Sequence, residues 1–287
     1  MRRAAAERSG STPTRPIGTL VEEKAPQGGD TGPPMSSRRI HFDTAALREL
    51  GYLPESSRER QFADHYRQIK RPLIEKAHAG APDPRGPSPR LIMMASALPG
   101  DGKTFTSINL ALSMARERDV SVVLVDSDLP KPHVSRVFGV EGEPGLLDAL
   151  RDPSIDPGSL LIPTDAGSLS ILPAGKPDEA ATELLASDRM ATIVASLLAH
   201  NPRRIVLFDS PPLLLSSESR ALADIVGQIV LVVRSGSTPR QAVLDVVEQL
   251  GEERPVWLVL NQGRVGPGGY YGYGFSPGQA GEAKAPA

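Results

Sequence analysis

The chain has 287 residues, of which 39% are hydrophobic and 23% charged, with a formal net charge of −2 and no cysteine. This is ordinary for a globular protein of one large or two small domains, and it offers no basic field for nucleic acid. The absence of cysteine excludes disulfides and thiolate metal sites and suits a reducing compartment. No stretch approaches the ~18 apolar residues of a membrane-spanning helix, so we expect any membrane contact to be made through a partner.

The first part of the chain divides into two regions. Residues 1–40 are rich in glycine, proline, serine and charge, which predicts a disordered N-terminal segment. Residues 41–90 are predicted to form a helical segment and a linker, with Pro72 expected to kink or end the helix. The helix is indicated by apolar residues at spacings of 4, 3 and 4: Phe62, Tyr66, Ile69 and Leu73.

Residues 91–263 alternate short apolar runs with helical stretches. The runs are LIMMAS, SVVLVD, SLSILPAG, RIVLFD, IVLVV and VWLVLN. Helices are expected near 103–118, 180–199, 217–225 and 239–251. Strands this apolar are buried on both faces, so the region predicts a doubly wound α/β domain with a mostly parallel sheet of the P-loop NTPase type. Ligands of such sheets bind at the carboxyl ends of the strands.

A phosphate-binding loop follows the first apolar run. The stretch ALPGDGKT matches G-x-x-x-x-G-K-[ST], except that Ala97 stands where the first glycine is usual. Its glycines let backbone N–H groups and a helix N-terminus face an anion, with Lys103 directed at the β- and γ-phosphates and Thr104 at Mg²⁺. The expected nucleotide contacts are Pro99, Gly100, Asp101, Gly102, Lys103, Thr104 and Phe105.

Polar residues end three further strands. Asp126 and Asp128 close SVVLVDSD, and Asp209 closes RIVLFD at the position of a Walker-B aspartate. Beside a nucleotide, such carboxylates could bind the metal or its waters, and one could accept the proton of an attacking hydroxyl. Asn261 closes VWLVLN, where it is expected either to contact an adenine edge or to act as a turn residue.

The C-terminal residues 264–287 are predicted to form a flexible tail rich in tyrosine and glycine. Only 12 residues of the chain are aromatic, yet four of them crowd into GGYYGYGFSPG: Tyr270, Tyr271, Tyr273 and Phe275. Glycine at this density favours a mobile backbone. The tail can be interpreted as a substrate segment. A low-complexity tail and a stacking platform for single-stranded nucleic acid are the two other interpretations.

These motifs, in this order, resemble the bacterial tyrosine kinases, which are P-loop autokinases of polysaccharide synthesis. The resemblance covers about residues 60–275, and YRQIKRPLI is most similar to the free-standing exosortase-associated tyrosine autokinases of exopolysaccharide loci. It implies ATP and Mg²⁺ as ligands, with Lys103, Asp126, Asp128 and Asp209 catalytic and Asp126 as the base. It also implies Thr104, Asp128 and Asp209 around the metal, and Tyr270, Tyr271 and Tyr273 as phosphate acceptors.

The resemblance further implies partners and a location. We expect a homo-oligomeric ring, a separate membrane chain-length-determinant or activator protein, a cognate tyrosine phosphatase, and a cytoplasmic position at the inner membrane. The family's ring-forming E-x-x-R-x-x-R helix appears here as Asp64, Arg67 and Lys70, and lysine lacks arginine's bidentate fork. Pro130 and Lys131 follow the acidic pair, where many members of the family have arginine.

Two other functions compete with the kinase. A ParA/MinD-type ATPase switch shares the predicted sheet and loop but carries a lysine at the start of KGGxGKT, where this chain has Leu98. Such a protein would also be expected to end in a basic amphipathic helix, which YYGYG cannot form. A non-catalytic P-loop scaffold of the polysaccharide machinery is the second alternative, and the residues alone leave it open.

Overall fold

Strands and helices alternate along the part of the chain that the computed structural model describes, residues 16–22, 38–79, 86–199, 201–251 and 254–263. The strands are β1 (Gly18–Glu22), β2 (Arg38–Phe42), β3 (Leu91–Ser96), β4 (Ser121–Asp126), β5 (Ile162–Pro163), β6 (Leu169–Leu172), β7 (Arg204–Asp209), β8 (Gln228–Arg234) and β9 (Val256–Asn261). The helices are α1 (Thr44–Glu49), α2 (Glu59–His78), α3 (Lys103–Met114), α4 (His133–Val137), α5 (Leu146–Arg151), α6 (Ala181–Leu185), α7 (Asp188–Ala199), α8 (Ser217–Ile225) and α9 (Arg240–Leu250).

A seven-stranded sheet lies at the centre, in the order β5-β6-β4-β7-β3-β8-β9. Its neighbouring strands are parallel, apart from the short β5, which is antiparallel to β6. The apolar runs of β3, β4 and β7 are buried almost throughout, as expected for strands covered on both faces. The predicted doubly wound, mostly parallel sheet is therefore confirmed.

Helices cover the sheet on both sides and enclose two hydrophobic layers. Helices α5, α7, α8 and α9 pack on one face, which we call the first core layer. Helices α1 to α4 pack on the opposite face, the second core layer. This arrangement brings the carboxyl ends of β3, β4 and β7 together at one edge, where the loops that follow them carry the predicted site residues.

An antiparallel hairpin of β1 and β2 lies partly within the segment 1–40 that was predicted to be disordered. For residues 16–22 and 38–40 that prediction is wrong. Ile17 and Ile40 are buried in the second core layer, and the Ile17 N–H donates to the Val137 carbonyl at 2.8 Å. A few apolar residues are enough to fix these strands, because the residues complete an existing core and do not have to build one. The rest of 1–40 lies outside the described residues.

Helix α2 was correctly placed, but it continues past Pro72 to His78. Of the two effects predicted for Pro72, a kink or an end, the end is wrong. The helix packs along α3 through Tyr66, Leu73 and Ala77, and this burial offsets one lost backbone hydrogen bond. Further along, the helix expected over 180–199 is two helices, α6 and α7, separated at Ala186 and Ser187. Within the described ranges, no helix combines the length and apolarity required to cross a membrane.

Candidate active site

The phosphate-binding loop connects β3 to α3, as the motif predicted. Gly100 and Gly102 have φ angles of +86° and +90°, a conformation that favours glycine. A Cβ atom at Gly102 would lie 2.0 Å from Asn261 Nδ2, so the second glycine is also required by close packing. Helix α3 begins at Lys103, which places its free N–H groups at the loop.

Asp209 is the centre of a buried hydrogen-bond network at the base of this loop. Its Oδ1 accepts from Lys103 Nζ and from Ser107 Oγ, each at 2.8 Å, and its Oδ2 accepts from Thr104 Oγ1 at 2.7 Å. Lys103 and Asp209 are both buried. Ser107 was not predicted, although its position four residues after Lys103 puts both on one face of α3.

Asp126 lies beside Asp209, because the last residues of β4 and β7 are paired in the sheet. It is fully buried. Its Oδ2 accepts from the Ser135 N–H at 2.7 Å, whereas its Oδ1 has no hydrogen-bond partner among the described residues. Burial raises the pKa of Asp126 to about 7, and the negative charge of Asp209 adds to that shift. A neutral or weakly ionised carboxyl of this kind can exchange a proton near neutral pH.

A cavity of about 570 Å³ opens above the loop, and it contains most of the predicted site. Asp128 lines this cavity, and burial raises its pKa while the charge of Lys103 opposes the shift. Asp126 does not line it. The other lining residues from the prediction are Pro99, Gly100, Asp101, Gly102, Lys103, Thr104 and Phe105. Pro130 and Lys131, which replace the family's arginine, also lie on its wall.

Thr238 and Asn261 hold the loop from outside, both through contacts with Asp101. Asp101 is buried; its Oδ1 accepts from Thr238 Oγ1 at 2.6 Å and its Oδ2 accepts from the Leu98 N–H at 3.2 Å. Asn261 Nδ2 donates to the Asp101 carbonyl at 2.9 Å. The loop is thus fixed to the start of α9 and the end of β9. Thr238 was not predicted, because no local motif marks it.

Phe105 points toward an aromatic cluster. Its ring stacks on Tyr52 with centroids 5.8 Å apart and meets Phe62 edge-on at 6.2 Å. Burial raises the pKa of Tyr52 to about 12, with a further contribution from the charge of Asp209, and burial also raises the pKa of Tyr66. These two tyrosines are packed parts of the fold. The predicted acceptors Tyr270, Tyr271 and Tyr273 lie outside the described residues.

The donor set of the site fits a magnesium ion that also binds a nucleotide. Mg²⁺ typically takes one or two carboxylates and completes its shell with phosphates and waters. The unpartnered Oδ1 of Asp126, the Asp128 carboxylate and the Thr104–Asp209 pair offer oxygen ligands here. Among the described residues there is no group of three or more His, Cys, Asp or Glu that could hold a metal by itself.

Comparisons with known proteins find similarity to bacterial tyrosine kinases. The tyrosine-protein kinase YwqD of Bacillus subtilis (strain 168) is 29% identical over 184 residues, which cover 63% of this chain and 76% of YwqD. The VpsO kinase domain matches with a TM-score of 0.57 and 28% identity, over 71% of this chain and 98% of that domain. These similarities support membership of the bacterial tyrosine kinase family. No family model matches it.

Some relatives are longer than this chain. The succinoglycan biosynthesis transport protein ExoP of Rhizobium meliloti (strain 1021) is 28% identical over 225 residues, which are 77% of this chain but only 27% of ExoP. The residues aligned to ExoP thus span about a quarter of that protein. The more specific likeness to exosortase-associated autokinases stays a prediction.

Proposed function

We propose that this chain is an ATP-dependent tyrosine autokinase that transfers the γ-phosphoryl group of ATP to Tyr270, Tyr271 and Tyr273 on a neighbouring copy. The observation that carries the proposal is the site itself. Lys103 and Thr104 of a phosphate-binding loop converge on Asp209, and Asp126 presents an unpaired buried oxygen next to it. Family membership favours tyrosine as the acceptor.

In this proposal the loop and its helix bind the phosphates, and Lys103 neutralises charge as it develops on them. Thr104, Asp128 and Asp209 would hold Mg²⁺, which supplies charge neutralisation at the β- and γ-phosphates when bound. The tyrosine oxygen forms a bond to the γ-phosphorus, the bond from that phosphorus to the β,γ-bridging oxygen breaks, and ADP leaves. The tyrosine proton passes to a carboxylate of the site.

Asp126 is the proposed acceptor of that proton. Its pKa of about 7 lets the ionised form and the protonated form both exist near neutral pH, which suits a general base. Asp128 lines the cavity and stays the proposed ligand of the metal or its waters. Asn261 is proposed to contact the adenine edge as well as the Asp101 carbonyl, since its side chain lies at the end of a strand beside the loop.

The proposed context is exopolysaccharide synthesis or export, which the name of ExoP supports for that relative. We propose that a separate membrane chain-length-determinant protein activates the kinase, that a cognate tyrosine phosphatase resets it, and that it works in the cytoplasm at the inner membrane. Each phosphate adds roughly −1.5 to −2 charges to the tail. Several phosphates would repel acidic sites and favour dissociation of a ring.

Two structural details bear on the alternatives. Leu98, at the position of the ATPase lysine, packs against the first core layer and its N–H donates to Asp101, which favours the kinase over a ParA/MinD-type switch.

The residues of the predicted ring-forming helix already make contacts within this chain. Arg67 pairs with Asp64 within α2, and the buried Lys70 donates to the Ser113 carbonyl and pairs with Glu117. Ring assembly through Lys70 would therefore require these internal contacts to break.

Transfer between copies can be tested by mixing two inactive halves. One chain carries Lys103→Met and an intact tail; the other has an intact site with Tyr270, Tyr271 and Tyr273 replaced by Phe. We expect tail phosphotyrosine only in the mixture with Mg-ATP. If wild-type chain is labelled but the mixture is not, transfer occurs within one copy. If wild type hydrolyses ATP without any phosphotyrosine, with or without activator, the switch or scaffold is favoured.

A further inference from the structure

Strand β9 carries an uncovered apolar surface at the edge of the sheet. Leu258 and Leu260 are 63% and 67% exposed, and on the adjacent helix α9 Leu244 and Val247 are 47% and 38% exposed. We call these four residues the β9 edge patch. Leu258 and Leu260 share a face with Val256, which packs against the first core layer, so the patch continues that layer beyond its helices.

The backbone edge of β9 is open as well. The strand pairs with β8 on one side, and no residue of the described ranges pairs with the other. Exposed edge strands usually carry charges, proline or a bulge that prevents further pairing. The sequence VWLVLN contains no charged residue and no proline. An uncharged edge beside exposed leucines indicates a surface that another strand covers.

The position of the chain favours its own tail as that strand. The residues after β9 start at this edge: Gln262 has a positive φ of 56°, and its N–H donates to Asn261 Oδ1. Gly263, the last described residue, is followed by 24 more, and residues 265–281 contain no charge. A glycine-rich connection over 262–269 is long enough to reverse the direction of the chain.

The tail also has the pattern of an edge strand. Tyr271, Tyr273 and Phe275 alternate with Gly272 and Gly274, so in an extended conformation all three rings lie on one face and the glycines on the other. Over residues 271–275, one face is therefore aromatic and the other has no side chains.

We propose that residues 270–275, before phosphorylation, add to the sheet as an eighth strand antiparallel to β9 within the same copy. The register that matches both patterns pairs Leu260 with Tyr271 and Leu258 with Tyr273, which lays the aromatic face over the β9 edge patch. It sets Gly272 opposite Val259 and Gly274 opposite Trp257. Val259 and Trp257 are the residues whose side chains lie on the other face of β9. Docking would hold the acceptor hydroxyls away from a neighbour's site.

This inference rests on the proposed function in one respect. Phosphate on Tyr271 or Tyr273 would place charge beside exposed leucines, where it cannot be solvated well, so the modified tail would leave the edge. Docking is then an autoinhibitory contact that the first phosphorylation weakens.

Disulfide trapping tests the register, because the chain has no cysteine of its own. Directly opposed residues of antiparallel strands have Cβ atoms about 4.5–5.5 Å apart, near the range of a disulfide. In the full chain, Leu258→Cys with Tyr273→Cys is expected to cross-link at least 10-fold faster than the matched control, Leu258→Cys with Gly272→Cys. Equal rates, or cross-linked dimers in place of monomers, would overturn docking within one copy.

A second measurement requires no change in β9. Amide hydrogen exchange of residues 256–261 should be slower in the wild-type chain than in a variant with Ser at Tyr271, Tyr273 and Phe275, and identical rates would contradict docking. Both experiments are done without ATP, so they do not depend on catalysis. Mg-ATP should then reduce trapping in the Leu258→Cys, Tyr273→Cys chain but not after Lys103→Met. Trapping that ATP leaves unchanged, with no phosphotyrosine in the wild-type chain with or without activator, would support docking and overturn the kinase proposal.

Discussion

Lys103 Nζ lies 2.8 Å from Asp209 Oδ1, and this buried ion pair joins the first turn of α3 to the end of β7. It connects the two halves of the nucleotide motif, which are separated by more than a hundred residues in the chain. Thr104 and Ser107 bind the same carboxylate, so all four side chains depend on one another for their positions. The site is held by side-chain contacts that its own residues make.

We expect Lys103→Met to reduce phosphoryl transfer by at least ~100-fold, because the positive charge at the phosphates is lost. It should also lower the free energy of unfolding by about 3 kcal/mol, since Asp209 is left buried without its cation. Adding Asp209→Asn should restore most of the stability and none of the activity. Urea unfolding and phosphotyrosine formation measure the two effects; a stable, inactive single variant would show that the ion pair contributes little to folding.

Asp126→Asn is expected to change how stability depends on pH. The folded pKa is about 7 against an ordinary value of 3.8, so below pH 4 the carboxyl is neutral in both states and burying it carries no electrostatic penalty. As pH rises from 4 to 7 the unfolded chain ionises more readily, and stability is lost. The variant should therefore gain about 2 to 4 kcal/mol over wild type across that window, at about 1.4 kcal/mol per pKa unit. A constant difference from pH 4 to 8 would contradict the raised pKa.

Asp126→Asn should also remove a step in the pH–rate profile. If Asp126 accepts the tyrosine proton, the wild-type rate rises as pH increases through about 7, and the variant loses both this rise and most of its activity. Asp128→Asn is the matched variant, because it should weaken Mg²⁺ dependence and leave the ionisation near pH 7 in place. If Asp128→Asn removes the rise near pH 7 and Asp126→Asn keeps it, Asp128 is the base instead.

Thr238→Val is expected to weaken nucleotide binding about 10-fold. It removes the hydrogen bond to Asp101 Oδ1 and leaves that buried oxygen unpaired, so the loop is less well fixed for the phosphates. Thr238→Ser, which keeps the hydroxyl, should bind ATP as wild type does. Titration with a fluorescent ATP analogue gives the affinity, and a Thr238→Val chain with unchanged affinity would show that the Asn261 contact alone fixes the loop.

Lys70→Met should destabilise the fold by about 1–3 kcal/mol, because the half-buried Ser113 carbonyl loses its charged donor. Arg67→Ala is the control: its partner Asp64 is on the same exposed helix face, and such pairs contribute less than about 1 kcal/mol. The Tm of Lys70→Met should therefore lie clearly below that of Arg67→Ala in thermal unfolding. Equal and small losses would mean that Lys70 is available for contacts between copies.

The sheet could be predicted because buried parallel strands have a continuous apolar sequence. Each of the six runs includes residues of a strand of the central sheet, although in SLSILPAG only Leu169–Leu172 form it. Strand β1 could not, since Ile17 is buried in a core layer that includes Val137 and Phe138, far away in the chain. Helix α2 shows the same limit: tertiary packing outweighed the local effect of Pro72.

The site was predictable where it follows local motifs and strand ends. Lys103, Thr104 and Asp209 are brought together as the motif implies. Thr238, in the turn before α9, and Ser135, in α4, come near Asp101 and Asp126 only in the folded chain. The accessibility of the two acidic residues was not foreseeable either, because the turn after β4 leaves Asp128 on the cavity wall and Asp126 beneath it.

Tyrosine phosphorylation by this site is tested most directly by mass spectrometry of purified chain incubated with Mg-ATP, with and without a membrane activator. We expect ATP-dependent phosphate on Tyr270, Tyr271 or Tyr273 in wild type, and none in Lys103→Met. Hydrolysis of ATP with no phosphotyrosine anywhere in the chain, under either condition, would contradict it.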